Sequence, residues 1–177
     1  MLASLPRSAW WLIALLATVI WFAGLDARRL QHPDEGRYAE IAREMAVSGN
    51  FVTPRLNDLK YFEKPPLQYW AGAITFKVFG VDEWTARFPA ALAGLLAVLV
   101  VGFTGARLAG ATAGAYAALA LLGCIWHAGL AHFLTLDAVL NLWLAVALCG
   151  FLLAQRDGLS PASQRRWMWV AYAAAAG

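Results

Sequence analysis

The stretch that decides the fold is Gln31–Gln68, QHPDEGRYAEIAREMAVSGNFVTPRLNDLKYFEKPPLQ, which lies between hydrophobic segments long enough to cross a membrane. It is polar, charged and aromatic. Connections between helices usually take about 2–8 residues, so this length is not needed to join two spans. Its aromatic content and its lack of low-complexity sequence are not typical of disorder. We interpret the stretch as the first half of a functional site at a membrane surface.

The composition of the whole chain supports a membrane location. The chain has 177 residues, of which 61% are hydrophobic and 14% are charged, whereas soluble domains average about 45–50% apolar and about 25% charged residues. The net charge is only +3 and no basic run or nucleic-acid motif is present, which argues against nucleic acid as a partner. Cys124 and Cys149 lie in apolar runs, and we expect both to be small buried hydrophobic residues.

The apolar runs predict an all-α polytopic membrane protein. We expect spans at about 9–25, 88–103, 111–129 and 137–154, and a fifth span that begins at 167 and is incomplete at 177. The first run could be a signal peptide, but no small-residue cleavage site clearly follows it, so we expect a retained span. We also expect the chain to be the N-terminal part of a longer protein.

The connection of residues 26–87 contains two predicted helices. Asp34–Val47 places Tyr38, Ile41 and Met45 on one apolar stripe, which predicts a helix lying along the membrane surface with Asp34 as its N-cap. Pro65-Pro66 is expected to open a second interfacial helix, Leu67–Phe79, which ends at Gly80.

Shorter signals connect these helices to each other and to the next span. Asn57-Asp58 predicts a turn, and Asp82 predicts the N-cap of the helix that contains the second span. The residues from Gln155 to Arg166 are polar and are expected to form a loop.

The distribution of basic residues predicts the orientation. If the spans alternate, the N-terminus, the turn at Arg107 and the 155–166 loop share one side, and all three carry arginine. The positive-inside rule places that side in the cytoplasm and the 26–87 loop in the periplasm. The loop carries many basic residues itself, which opposes this assignment, but its length is near the limit of about 60 residues beyond which the rule weakens.

Three short groups have residue types suited to chemistry. Asp34-Glu35 could accept a proton or bind a cation, or could simply cap a helix and favour its dipole. Lys64, held between Glu63 and two prolines, could capture a phosphate or form a surface salt bridge. Asp137, at the mouth of an apolar span, could be a functional acid or another N-cap. Asp34 and Asp137 are expected on the same outer face.

The remaining polar residues near the spans suggest structural roles. His127 and His132 are five residues apart, not the four that would place two ligands on one helix face, so we interpret them as interfacial polar residues. Arg28-Arg29 is expected to anchor the chain at the membrane surface. The chain contains no Walker loop, dinucleotide fingerprint or HExxH motif. Because nucleotide sugars are not available at the outer face of the membrane, we expect the substrate of a site on that face to arrive attached to a lipid.

Three segments carry a specific resemblance. HPDEGRYAEIAREM (32–45), NFVTPRLNDLKYFEKPPLQYW (50–70) and TLDAVLN (135–141) together resemble the N-terminal part of bacterial aminoarabinose transferases. More widely, the chain looks like the protein O-mannosyltransferase-related family with the C-type glycosyltransferase fold. The resemblance covers about residues 10–175 and implies that residues 1–177 are the N-terminal transmembrane part of a glycosyltransferase domain.

The resemblance implies an activity and a set of site residues. Such enzymes lie in the bacterial inner membrane and move a sugar from an undecaprenyl-phosphate carrier to an acceptor at the periplasmic face, which is a lipid A phosphate in the aminoarabinose branch. By matching motif, Asp34 is the main catalytic acid and Asp137 the second acid. The implied substrate-binding residues are Lys64, which binds the carrier phosphate, together with Glu63, Tyr61, Tyr38, Arg37 and Glu35.

Two points stay open from the sequence. Glu63 is placed either to pair with Lys64 or to help bind a divalent cation whose other ligands lie beyond residue 177; no other cofactor is implied. A non-catalytic fragment or subunit that binds or transports a lipid-linked sugar would use Lys64 without needing Asp34. Few charges within the spans and no pair of interrupted helices argue against a transporter.

Overall fold

The computed structural model describes residues 7–176, and nearly all of its regular structure is helical. The predicted cytoplasmic residues 1–6 and the last residue of the unfinished fifth span lie outside the described residues. In chain order the elements are α1 (Arg7–Phe22), α2 (Asp34–Ser48), β1 (Arg55–Leu56), β2 (Leu59–Lys60), α3 (Leu67–Phe79), α4 (Glu83–Ala109), α5 (Ala111–Leu122), α6 (Ile125–Ala131), α7 (Asp137–Ala154) and α8 (Pro161–Ala176).

Among residues 7–176, two helices, α4 and α7, are long and apolar enough to cross a membrane, and the bent pair of α5 and α6 makes a third if it is one span. Helix α7 has the predicted bounds of the fourth span, 137–154. Helix α4 contains the predicted second span but begins earlier, because Asp82 and Thr85 form a reciprocal capping box at its first turn. The prediction that Asp82 caps this helix is therefore confirmed.

The helix of the first predicted span, 9–25, ends three residues earlier than expected, at Phe22. Apolar helix covers Trp11–Phe22, and the chain turns at Gly24, which has a left-handed φ of +78°. Trp11 and Ile20 are exposed along this helix, whereas Trp21 faces inward and donates its indole N–H to the carbonyl of Ala91 at 2.8 Å. One face of α1 therefore packs on α4 and the other is apolar and uncovered, as a lipid-facing helix would be.

The predicted third span, 111–129, is not one straight helix. Helices α5 and α6 meet at a break at Gly123 and Cys124 and are bent by 65°. Cys124 has an extended backbone and an exposed side chain, so the expectation that it is buried is wrong, while Cys149 is buried as expected. The expectation that no helix is interrupted is also wrong, so the absence of interrupted helices no longer argues against a transporter.

The predicted polar loop of residues 155–166 is half helical. Helix α8 begins at Pro161, six residues before the expected fifth span. Pro161 occupies the first helical position, where its missing N–H costs nothing, and the Ser160 hydroxyl accepts the N–H of Ser163 at 3.3 Å. This cap extends the helix into polar sequence that hydropathy alone would leave as a loop.

The two loop helices pack on each other. The stripe of Tyr38, Ile41 and Met45 is buried against Tyr69 and Phe76 of α3. The sequence instead predicts that this stripe faces the membrane surface. A Cβ on Gly72 would lie 3.0 Å from the Cβ of Ala42, so the helices are in close contact. The bounds predicted for α3 are confirmed, and α2 runs one residue further than predicted.

A short hairpin closes the loop region. Strands β1 and β2 pair antiparallel, with Arg55 opposite Lys60 and Leu56 opposite Leu59. The predicted turn is confirmed, because Asn57 and Asp58 both have positive φ, which suits a two-residue hairpin. The carboxylate of Glu44 accepts the N–H of Asn57 at 2.6 Å and ties the turn to α2.

Helix α4 is the centre of the helical bundle and contacts α1, α3, α5, α6 and α7. Its contact with α5 depends on small residues, since a Cβ on Gly114 would lie 2.5 Å from the carbonyl oxygen of Gly102 and 2.6 Å from the Cβ of Ala106. Such close approach of backbones is the usual means of helix association in membranes.

We expect Gly114→Val to separate α4 from α5 and to destabilise the protein by about 1–3 kcal/mol, the usual cost of overpacking. The measurement is the thermal unfolding midpoint of the detergent-solubilised protein. Gly129→Ala on α6 is the matched control, because nothing lies within 4 Å of a Cβ there. Equal midpoints for the two variants would contradict the close packing.

Candidate active site

A buried carboxylate, Glu35, lies beneath the predicted site. Its side chain is 0% exposed and that of Arg87 is 1% exposed. Arg87 Nε donates to Oε1 of Glu35 at 2.8 Å and Nη2 donates to Oε2 at 3.0 Å. Arg28 Nη1 donates to Oε2 at 2.5 Å. The N–H groups of Gln31 and Leu134 donate to the same carboxylate at 3.0 and 2.9 Å.

Arg87 uses its remaining donors on the loop that precedes α2. Nη1 donates to the carbonyls of Leu25 and Arg28 at 2.6 and 2.8 Å, and Nη2 donates to the carbonyl of Arg29 at 3.0 Å. Arg28 in turn donates to the carbonyl of His132 at 2.8 Å. The Glu35–Arg87 pair therefore joins α2, α4, the 25–31 loop and the 132–134 link, and Arg28 is part of this network instead of a membrane-surface anchor.

The electrostatics of Glu35 follow from these contacts. Burial alone would raise its pKa, but hydrogen bonds from Arg87, Arg28 and the two backbone N–H groups outweigh burial and lower the pKa from 4.5 to about 2. Since Glu35 has no exposed surface, it does not line the site in this structure. Its place is that of a residue that positions the site, not one that touches a ligand.

Asp34, the neighbour of Glu35, faces outward. It is the first residue of α2 and its side chain makes no capping hydrogen bond, so the prediction that Asp34 is the N-cap is wrong; Pro33 holds that position. Instead its carboxylate forms an ion pair with Arg37 one turn later. Its side chain is 48% exposed, which leaves it accessible to a substrate. The pairing raises the pKa of Arg37.

Three tyrosines surround these charges. Tyr69 contacts Tyr38 and Tyr61, with ring centroids 6.1 and 6.4 Å apart. Burial raises the pKa of all three hydroxyl groups. The pKa of Tyr38 is raised further by the nearby negative charges of Asp34, Asp137 and Glu63 and is lowered by Arg37. The charges of the predicted acids of the loop and of α7 therefore act on the same tyrosine hydroxyl.

Glu63 and Lys64 do not pair with each other. Glu63 accepts the hydroxyl of Tyr61 at 2.8 Å, and within the part of the chain that the structure describes Lys64 has no ion-pair partner. Among residues 7–176, no three His, Cys, Asp or Glu side chains are grouped closely enough to hold a metal ion. A divalent cation near Glu63 would thus need ligands that these residues do not supply.

Lys64 and Asp137 meet at one cavity between the start of α3 and the start of α7. The cavity has a volume of about 260 Å³. Its polar lining residues are Lys64, Gln68, Asp137 and Trp143; its apolar ones are Pro65, Leu67, Leu136, Val139 and Leu140. Both charged residues are exposed at its rim. The site thus combines a cation, an acid and an apolar wall, which suits a ligand with an anionic head and an apolar tail.

The two histidines are internal structural residues and not interfacial ones. His127 is buried, with Nε2 3.1 Å from the carbonyl of Gly94 and Nδ1 3.1 Å from the side-chain nitrogen of Asn141. The ring of His132 lies 2.6 Å from the carbonyl of Trp21 and 2.7 Å from that of Ala128. They connect α6 to α1, α4 and α7 below the site.

Sequence analysis did not single out Arg87. The sequence does contain a signal for it: Arg87 lies in the second turn of an apolar helix, five residues after the Asp82 cap. A charge at the end of a span is expected to have a functional or structural partner. No local pattern identifies the partner of Arg87, because Glu35 lies 52 residues earlier in the chain and is itself predicted to bind substrate.

Comparison with known proteins gives consistent matches. Residues 9–177 match the family described as dolichyl-phosphate-mannose-protein mannosyltransferase. The undecaprenyl phosphate-alpha-4-amino-4-deoxy-L-arabinose arabinosyl transferase of Enterobacter sp. (strain 638) is 35% identical over 148 residues, which cover 82% of this chain and 27% of that protein. The enzyme of the same name from Aeromonas salmonicida (strain A449) is 37% identical and covers 84% and 27%.

Solved structures match over nearly the whole chain. The crystal structure of ArnT from Cupriavidus metallidurans in the apo state has a TM-score of 0.91 and 43% identity, covering 96% of this chain and 32% of that one. The crystal structure of the same protein bound to undecaprenyl phosphate has a TM-score of 0.91 and 44% identity, covering 96% and 31%. The chain thus spans between a quarter and a third of the length of these relatives.

We expect Glu35→Gln to destabilise the protein strongly, because it leaves the buried Arg87 without a counter-charge; breaking a buried pair costs about 3–5 kcal/mol. The measurement is the thermal unfolding midpoint in detergent. Glu40→Gln is the matched control, since Glu40 also lies on α2 and pairs with an arginine, Arg43, but both side chains are partly exposed and such pairs contribute about 0–1 kcal/mol. Similar losses in both variants would contradict the role of burial.

The same pair predicts a pH dependence. Because the pKa of Glu35 is lowered from 4.5 to about 2, its contribution to stability is complete above pH 4.5 and is lost as the pH falls toward 2. The difference in unfolding midpoint between wild type and Glu35→Gln should therefore narrow from about pH 4.5 downward. A difference that stays constant down to about pH 3 would contradict the lowered pKa.

Proposed function

Because this chain belongs to the dolichyl-phosphate-mannose-protein mannosyltransferase family, we propose that the whole protein transfers a sugar from an undecaprenyl-phosphate carrier to an acceptor at the periplasmic face of the inner membrane. The observation that carries the proposal is the cavity where Lys64 and Asp137 meet, between the starts of α3 and α7. The names of the arabinosyl transferase relatives and the ArnT complex with undecaprenyl phosphate support the same donor class.

The proposed orientation has the N-terminus in the cytoplasm and the site in the periplasm. The site residues lie at the N-terminal ends of α4 and α7 and on the loop before α4. Arg107 lies in the last turn of α4 and Arg156 just after the end of α7, and the arginines at positions 165 and 166 lie in the first two turns of α8, which follows α7. The positive-inside rule, applied to these short connections, favours this direction.

In the proposed reaction the bond between the sugar's anomeric carbon and the carrier phosphate oxygen breaks, and its electron pair stays with the phosphate. A new bond forms between the anomeric carbon and an acceptor oxygen. The carrier changes from a phosphodiester to a phosphomonoester and gains negative charge. Lys64, exposed at the cavity rim and free of an ion pair among the described residues, is the group that would neutralise that charge.

Asp34 is the proposed catalytic acid on the acceptor side, with Asp137 as the second acid. If the acceptor is a lipid A phosphate, which the resemblance to aminoarabinose transferases favours, its oxygen is already ionised and Asp34 positions the attack. If the acceptor is a hydroxyl, Asp34 takes its proton. The ion pair with Arg37 fixes the direction of the Asp34 carboxylate in either case. Tyr38 and Tyr61, whose rings both contact Tyr69, are proposed to bind substrate beside it.

We expect Asp34→Asn to reduce transfer by about 100-fold or more, the usual contribution of a positioned acid or base. The measurement is mass spectrometry of lipid A from cells that express the full-length protein, where wild type should add the mass of one sugar. Asp58→Asn is the matched control, since Asp58 is an exposed acid on the hairpin turn of the same loop, where Asn tolerates the positive φ. A fully active Asp34→Asn protein would overturn the assignment of Asp34 as the catalytic acid, whereas no added sugar in wild type would support the non-catalytic alternative.

We expect Lys64→Ala to weaken binding of undecaprenyl phosphate by about tenfold or more, because a charge-assisted contact with phosphate is lost. The measurement is lipid binding to the purified full-length protein. Lys60→Ala is the control, since Lys60 is an exposed lysine on β2 of the same loop. Equal effects of the two substitutions would mean that Lys64 acts only through general surface charge.

A further inference from the structure

Three buried polar atoms without partners in the described part of the chain belong to side chains in the wall of the cavity. Among residues 7–176, Gln68 has no hydrogen-bond partner for either atom of its side-chain amide, and Trp143 has none for its indole N–H. Both residues line the cavity that holds Lys64 and Asp137. Tyr69, which follows Gln68 on α3, and Thr135, which lies two residues before α7, have unpartnered hydroxyl groups as well.

Gln68 is the most informative of these side chains. It is the second residue of α3 and is only 3% exposed. A buried amide that forms no hydrogen bonds costs free energy, and buried polar groups in native proteins are nearly always satisfied. An unsatisfied amide in a cavity wall is therefore a feature expected of a binding site, where the ligand supplies the missing partners.

The chemistry of the missing partner can be narrowed. The amide of Gln68 offers both a donor and an acceptor. An ionised phosphate only accepts hydrogen bonds, so it could satisfy the NH₂ group but not the carbonyl oxygen. A hydroxyl group donates and accepts, and two neighbouring hydroxyls on a sugar ring can satisfy both halves of the amide at once. The indole N–H of Trp143 adds one more donor for a ring oxygen or hydroxyl.

The geometry of the cavity agrees with a sugar beside a phosphate. Lys64 supplies the cation at the rim, and Gln68, the second residue of α3, follows four residues later and lines the same cavity. At about 260 Å³ the cavity lies just below the range of about 300–1,000 Å³ of drug-sized pockets. That size suits one sugar ring better than a larger ligand.

We propose that Gln68 and the indole N–H of Trp143 form a sugar-recognition subsite next to Lys64, which binds hydroxyl groups of the monosaccharide on the lipid carrier. This inference rests on the proposed function, because it assumes that the donor is a sugar linked to undecaprenyl phosphate. It adds that discrimination between the loaded and the empty carrier resides in these two neutral side chains and not in Lys64.

The test compares two probes on the purified full-length protein: undecaprenyl phosphate and undecaprenyl phosphate carrying aminoarabinose. Gln68→Leu keeps the side-chain size but removes the amide, and we expect it to weaken binding of the sugar-bearing lipid by about tenfold while leaving binding of undecaprenyl phosphate unchanged. Trp143→Phe should act in the same direction with a smaller effect. Lys64→Ala should weaken binding of both lipids.

Thr104→Val is the matched control. Thr104 also has a buried hydroxyl without a partner among the described residues, but it lines a different, apolar cavity between α4, α7 and α8. This variant should bind both lipids like wild type. Its unfolding midpoint, compared with that of Gln68→Leu, separates a loss of binding from a loss of folding.

The outcomes are distinct. If Gln68→Leu weakens binding of both lipids, the sugar subsite is overturned and Gln68 contacts the phosphate or serves packing. If Gln68→Leu weakens binding of neither lipid, the subsite is also overturned, and another part of the polypeptide satisfies the amide. If wild type binds neither lipid, the proposed function itself is overturned. If wild type binds both lipids, and Gln68→Leu and to a smaller extent Trp143→Phe lose the preference for the loaded carrier while Thr104→Val keeps it, both the subsite and the proposed function stand.

Discussion

The structure depends on the buried ion pair between Glu35 and Arg87. Two buried charges are costly unless every donor and acceptor is used, and here the carboxylate accepts from two arginines and two backbone N–H groups while Arg87 also binds three carbonyls. The pair thus supplies hydrogen bonds to carbonyl and N–H groups of loop residues, which have no partners in a helix or sheet. It is the means by which a polar loop keeps one conformation at the end of an apolar helical bundle.

This pair also explains why adjacent acids have different places. Glu35 points into the network and Asp34 points away from it, because successive residues at the start of α2 project about 100° apart. The buried acid holds the helix start, and the exposed acid is left at the surface beside Arg37 and Tyr38. The proposed chemistry therefore takes place on a rigid base, as a site that must position a lipid phosphate and an acceptor would require.

The sequence predicted the membrane class, α3, α7, the Asp82 cap and the turn at Asn57-Asp58, because periodicity, capping residues and turn residues are local signals. It did not predict that this turn joins two paired strands. The resemblance and the C-type glycosyltransferase fold were confirmed by the family match and the ArnT structures. The break at Gly123-Cys124 was missed because both sides are apolar, so hydropathy continues across it. The contact of α2 with α3 and the partners of Glu35 depend on packing between distant segments, which no local pattern encodes. The roles of the site residues stay predictions.

The contacts of Glu35 have a consequence for biosynthesis. Arg87 and Leu134 follow Glu35 by 52 and 99 residues, so a nascent chain exposes the acid long before its last donor has been made. The second span enters the membrane while the carboxylate still lacks the N–H of Leu134, and the loop reaches its final arrangement only when the link between α6 and α7 has been translated. Completion of the loop's hydrogen-bond network is therefore tied to synthesis of the link that precedes α7, long after α2 and α3 themselves have been made.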